Sequence, residues 1–130
     1  MKAEQAMIED LAIISDRRSC ALLDKAGTIN WYCPERFDTE AIFSKLLDNE
    51  QGGYWSVSAK DKKFLTRQFD GRSSVLHSCF SIGGKGLTMT DFMPLDEILR
   101  AFVNFLAMHH QLSKTRLRSG QIMGSQQKIK

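Results

Sequence analysis

The side chains on either side of Gly83-Gly84-Lys85-Gly86 alternate, and this constrains the chain more than any other feature. Before the glycines, Leu76, Ser78, Phe80 and Ile82 fall on one side, and Val75, His77, Cys79 and Ser81 on the other. After them, Leu87, Met89 and Asp91 oppose Thr88, Thr90 and Phe92. A period of two is that of a pleated strand, and a short glycine-rich connector joins two such strands as a hairpin. The face with Phe80 and Ile82 is the predicted core side, since a slip by one residue would bury His77 in its place. Pro94 ends the pattern because it has no amide to give to a ladder.

The same signals recur upstream. Residues 19–23 and 28–33 are short β-favouring runs flanking Asp24-Lys25-Ala26-Gly27, in which Gly27 can take the positive φ that a tight hairpin requires. Tyr54-Trp55-Ser56-Val57 and residues 63–69 read as two more strands. Between residues 28–33 and Tyr54, Asp38 precedes Ala41, Ile42, Leu46 and Leu47 at i, i+4 spacing, which predicts a short helix over residues 39–48 with the Asp38 carboxylate as its N-cap.

From Leu95 the period lengthens. Leu95, Ile98, Leu99, Phe102, Leu106 and His109 share one helical face, predicting an amphipathic helix over 95–112. It either covers the protein's own sheet or meets a membrane or partner. Residues 113–130 carry Lys114, Arg116, Arg118, Lys128 and Lys130 with no acid, so the formal net charge of +3 less this local +5 leaves −2 for residues 1–112. The tail reads as disordered and solvated, and without an aromatic residue to stack a base it predicts no nucleic-acid partner.

At 130 residues and 42% hydrophobic the chain fills one domain and no more. The expected fold is mainly β: a partial antiparallel β-sandwich with one short helix and a C-terminal amphipathic helix. It divides at 1–94 (β-domain), 95–112 (helix) and 113–130 (tail). No apolar run reaches the roughly 20 residues of a membrane span and no signal peptide is evident. Cys20, Cys33 and Cys79 are odd in number and widely spaced, which fits reduced thiols in the cytoplasm. His109 and His110 are neighbours that point about 100° apart on a helix, a poor metal pair. No nucleotide-binding loop, nucleophile elbow or zinc signature appears, and no cofactor is expected.

Motifs in a fixed order add a further reading. Ile8-Glu9-Asp10, Gly27-Thr28-Ile29-Asn30-Trp31, Arg36-Phe37-Asp38, Leu46-Leu47-Asp48, Gly52-Gly53-Tyr54-Trp55 and Thr90-Asp91-Phe92-Met93-Pro94 are spread over a stretch of about two-thirds of the chain. In this order they resemble the N-terminal β-domain, trehalase-like, of the family fifteen glycoside hydrolases, the bacterial glucoamylase and trehalase-like proteins. The family pattern usually has proline where Glu35 and Glu40 stand here. The resemblance implies a parent that acts on α-glucosidic bonds by inversion, with one carboxylic acid and one carboxylate about 6.5–9.5 Å apart. It implies that both belong to a helical toroid following this domain. After Pro94 the resemblance ends, so the expectation is a chain truncated before the catalytic domain and inactive alone. An α-glucan or trehalose-like sugar is a partner only through that resemblance.

The residues themselves offer few sites. Glu9, Asp10, Asp38, Glu40 and Asp91 are the carboxylates to weigh, but one sheet layer leaves little cleft in which to separate the pKa values of an acid and a base. No catalytic residue or metal ligand is assigned. Arg36 and Asp38, two apart in a loop, read as a local ion pair or a plain exposed loop, while the resemblance implies a surface facing the catalytic domain or substrate. Trp31, Tyr54 and Trp55 either fill the core or stack on sugar rings; Trp55 is the candidate, because it and Tyr54 point to opposite faces. The rivals to a silent enzyme fragment are a glycan-binding module and an interaction fragment that self-associates or pairs with a catalytic domain.

Overall fold

The computed structural model describes residues 6–95 and the backbone of 125–128. It is mainly β, with two sheets. After a 3-10 turn at Ile8–Asp10 come β1 (Ala12–Ser15), β2 (Cys20–Leu23), β3 (Ile29–Cys33), β4 (Trp55–Ser58), β5 (Lys63–Phe69), β6 (Leu76–Ile82), β7 (Lys85–Asp91) and β8 (Ser125–Lys128). The first sheet has the order β1-β2-β3-β4-β8, antiparallel throughout except for β8, which runs parallel to β4. The second is the antiparallel meander β5-β6-β7. The expected helix over 95–112 lies outside the described residues, as does the expected tail over 113–130 apart from β8. Among the described residues no helix is long and apolar enough to cross a membrane.

The alternation in β6 and β7 translates directly into burial. Leu76, Ser78 and Phe80 are buried, and across the ladder Asp91, Met89 and Leu87 are their partners on the same face. The opposite face is polar: His77 Nδ1 lies 3.0 Å from Thr90 Oγ1, and Cys79 Sγ 3.8 Å from Thr88 Oγ1. In the first sheet Ala12, Ile14, Ala21, Leu23 and Tyr32 point inward, join Phe43 and Leu76 in one apolar cluster, and are backed by Ile29, Ile42, Trp55 and Met93.

The tip of the β2–β3 hairpin carries the first sheet onto the second. Asp24 organises it: its Oδ1 accepts the amides of Ala26 and Thr28, each at 2.9 Å, and its Oδ2 accepts the Asn30 side-chain amide at 3.0 Å. Gly27 completes the turn at φ 74°, and a Cβ there would lie 3.3 Å from Phe80 Cζ. Lys62 then closes the junction, its Nζ donating to the carbonyls of Ala26 at 2.6 Å and Val57 at 2.7 Å, 4.1 Å from the centre of the Phe80 ring. Further links tie the sheets at the other strands: Arg67 donates to the carbonyls of Leu23 and Asp10, and the Ser74 hydroxyl both accepts from Ser15 N and donates to Ser15 O at 2.9 Å.

The helix predicted over 39–48 does not form, and Asp38 caps nothing. The amides of this segment find partners on β3 instead: Ile42 N donates to Tyr32 O at 2.8 Å, Tyr32 N to Phe43 O at 3.0 Å, and Leu46 N to Asn30 O at 3.1 Å. β3 has this edge to offer because it meets β4 only at Ile29 and Trp55. Of the apolar spacing that resembled a helical stripe, Ile42 packs partly buried against the core while Leu47 is exposed, and the buried residue is Phe43, which lies outside that spacing. A single turn remains at Ser44–Asp48, where Leu47 N and Asp48 N both donate to Ser44 O. The chain then returns so closely that Ser44 N donates to Gly52 O at 2.7 Å, and a Cβ on Gly52 would sit 2.2 Å from Ser44 O.

That approach leads to a test by substitution. Gly52→Ala forces backbone against backbone and is expected to cost about 3 kcal/mol. Gly86→Ala, where nothing lies within 4 Å, is expected to change stability by about 0.5 kcal/mol or less. Urea unfolding of the two variants beside the parent chain measures both, and equal effects would contradict the described loop.

Candidate functional site

Two loops meet at one end of the first sheet. In the β1–β2 turn, the buried Asp16 accepts the amides of Arg18 at 2.8 Å and Ser19 at 2.7 Å on Oδ1, while Ser15 Oγ donates to Ser19 O at 2.8 Å. These bonds hold Arg17 at a positive φ of 74° and present the carbonyl of Arg18 outward. The loop after β3, residues 34–40, docks on that carbonyl through Phe37 N at 2.8 Å. It folds on itself: Arg36 N donates to Pro34 O at 2.6 Å, and Thr39 Oγ1 lies 2.7 Å from the carbonyls of both Pro34 and Arg36.

The consequence is a displayed Arg-Phe-Asp surface. Arg36 grips Asp38 with both ends of its guanidinium fork, Nε to Oδ1 and Nη2 to Oδ2, each 2.9 Å. Both side chains are exposed, and Phe37 between them is 68% exposed, an apolar ring standing in solvent. A bidentate pair fixes two charges in one plane beside this ring. The pair engages both Asp38 oxygens, while Glu35 and Glu40 of the same loop are exposed.

Trp55 does not join this surface. It pairs with Ile29, at the far end of β3 from Cys33 and the 34–40 loop, and it packs partly buried against the core cluster. Tyr54 beside it is half-buried, with the Lys45 ammonium 4.5 Å from its ring centre. Trp31 sits opposite Leu22 on the outer face of the first sheet, half-buried, rather than in the core beside Tyr32. Burial, with Asp16 and Cys33 adding negative potential, pushes the Tyr32 hydroxyl up to about 12.

The other carboxylates are likewise dispersed. Asp10 pairs with Lys25 at 2.5 Å. Asp91 lies on the inner face of the second sheet, where burial raises its pKa and Lys62 partly offsets the shift. Among the described residues no group of three His, Cys, Asp or Glu side chains gathers to hold a metal ion. The residues that sequence reasoning passed over are Asp16, Asp24 and Lys62. Asp24 had a signal in its position ahead of the hairpin glycine, but Lys62 stands in a run of charged residues and only the folded chain shows its target.

The described residues form a mainly β domain with a displayed Arg36-Phe37-Asp38 loop. The model of the family described as trehalase-like, N-terminal, matches residues 1–105, and the chain belongs to that family. The match runs past Pro94, where the motif resemblance stopped. Trehalase 2 of Sulfolobus acidocaldarius is 32% identical over 84 residues, covering 65% of this chain and 14% of that protein. A trehalase of Thermoplasma volcanium is 33% identical over 87 residues, with the same two shares. A trehalase of Thermoplasma acidophilum is 34% identical over 74 residues, 55% of this chain and 13% of the relative. The chain thus spans about one-seventh of the length of these relatives. No solved structure matches it.

The Arg36–Asp38 geometry sets apart two roles for Asp38. As a helix cap, Asp38→Ala would cost about 0.5–2 kcal/mol and Asp38→Asn little. As one end of an exposed ion pair, both substitutions are expected to cost the same, less than about 1 kcal/mol, and the cost should fade at high salt. Denaturant unfolding of the two variants at low and high ionic strength measures this, and a loss confined to Asp38→Ala would contradict the described ion pair.

Proposed function

We propose that this chain is a non-catalytic N-terminal portion of a family fifteen α-glucoside hydrolase, of the trehalase-like rather than the starch-degrading branch, working in the cytoplasm. The observation that carries the reading is the family match over residues 1–105 together with relatives that are themselves trehalases. In this reading the acid and base that cleave the glycosidic bond belong to the remaining length of such an enzyme. The 34–40 loop, with Arg36, Phe37 and Asp38, serves as a contact for the catalytic domain.

Dispersal of the carboxylates supports the non-catalytic role. Inversion needs two carboxyl groups facing each other across a water and a sugar, one protonated and one ionised. Here Asp38 is held by Arg36, Asp10 by Lys25, and Asp91 faces the sheet interior. The aromatic pair is also engaged, Tyr54 by Lys45 and Trp55 by the core, which counts against a glycan-binding module.

The test is a coupled glucose assay on the purified chain with trehalose, maltose and soluble starch. No release above the enzyme-free rate is expected, because uncatalysed glycosidic cleavage is many orders of magnitude too slow to register. Sustained release that disappears on replacing Glu9, Asp38 or Asp91 would refute the proposal.

A further inference from the structure

Cys20 and Cys33 stand thirteen positions apart in sequence, yet the register of the β2–β3 hairpin sets them directly opposite each other. Both occupy the outer face of the first sheet, in the same row as Ser15 on β1. Opposed residues of an antiparallel pair have Cα atoms about 4.5–5.5 Å apart, inside the roughly 4.4–6.8 Å that a disulfide spans. Both thiols are free, and the Cys20 sulfur is near enough to add to the effect of burial in raising the Cys33 thiol, against a hydrogen bond from the Trp31 side chain. Cys79 lies on the second sheet, on its polar face beside Thr88.

We infer that Cys20 and Cys33 form a dithiol that closes into a cross-strand disulfide when a low-molecular-weight disulfide is the oxidant. Cys20 is partly exposed and Cys33 fully buried, so Cys20 reacts first. Its thiolate attacks one sulfur of the reagent; the new Cys20–sulfur bond forms, the reagent's S–S bond breaks, and one small thiolate leaves. Cys33 then gives up its proton and attacks Cys20 Sγ, forming the protein disulfide and expelling the second small thiolate. The protein loses two hydrogens and the reagent is reduced to two thiols.

The position gives the bond a structural consequence. Cys33 precedes Pro34 at the base of the Arg36–Asp38 loop, and Cys20 follows the β1–β2 turn whose Arg18 carbonyl holds Phe37 N. A bond between them staples both supports of the displayed surface. In a reducing compartment the dithiol persists, and the closed form marks exposure to an oxidant.

The experiment treats the native full-length chain with oxidised glutathione in mildly alkaline buffer, then alkylates under denaturing conditions and reads intact mass and peptide map. The expected product has lost two hydrogens, carries a Cys20–Cys33 linked peptide, and alkylates at Cys79 alone. Its Tm rises by on the order of 10 °C over the reduced chain, as expected for closing a loop of about 14 residues. Cys79→Ser should behave like the parent chain, whereas Cys20→Ser and Cys33→Ala should show neither the mass loss nor the shift. Three alkylated cysteines after treatment, a lasting glutathione adduct on Cys20, or a linkage through Cys79 would each overturn the inference.

Discussion

The two sheets become one unit where the β2–β3 hairpin tip presses on Phe80. Neither sheet closes a core by itself: the first supplies most of the apolar cluster, and the second adds Leu76 to it and buries Phe80 against the hairpin tip. The tip requires three things at once. Asp24 must consume the turn amides, Gly27 must let the backbone lie against the Phe80 ring, and Lys62 must satisfy the carbonyls of Ala26 and Val57. Burial lowers the Lys62 pKa, and Asp24 and Asp91 offset part of the shift, so two carboxylates help keep this cation charged where it is needed. Placing an ammonium over an aromatic face recovers part of its lost hydration.

The candidate surface depends on the opposite end of the same hairpin. Asp16 shapes the β1–β2 turn, the turn offers the Arg18 carbonyl, and Phe37 N uses it to seat the 34–40 loop. Arg36, Phe37 and Asp38 are therefore displayed by structure that lies almost entirely within the first 40 residues. Trp55 belongs to a different part of the molecule, where β4 borders β3 at a single pair. In this part of the domain Asp16 and Asp24 are spent on holding turns, and Asp38 on its pair with Arg36.

Much of this was legible in the residues. The glycines at 83 and 84 and the alternation about them located β6, β7 and their core face, because period two and a short turn leave little choice of register. Gly27, set between two β-favouring runs, located the first hairpin in the same way. The segment 39–48 was misread because its apolar spacing suits a helix equally well as a loop laid along β3, and only the free edge of β3 decides between them. β1 was missed, since Ala12-Ile13-Ile14-Ser15 is too short for its alternation to stand out. The residues leave Trp31 open between the core and a sugar-facing role, and the bulge between Leu22 and Leu23 sets it on the outer face. Cys20 and Cys33 were within reach of the sequence once the hairpin was recognised, as they lie nearly symmetrically about its turn.

Calorimetry of the full chain beside Lys62→Met tests most directly whether the hairpin tip and Lys62 weld the sheets together. The account predicts one cooperative transition for the parent chain, with calorimetric and van't Hoff enthalpies equal. For Lys62→Met it predicts a destabilised chain, by about 1–3 kcal/mol, because two carbonyls lose a charged donor. Two separate transitions in the parent chain, or a variant that melts at the parent's temperature, would contradict it.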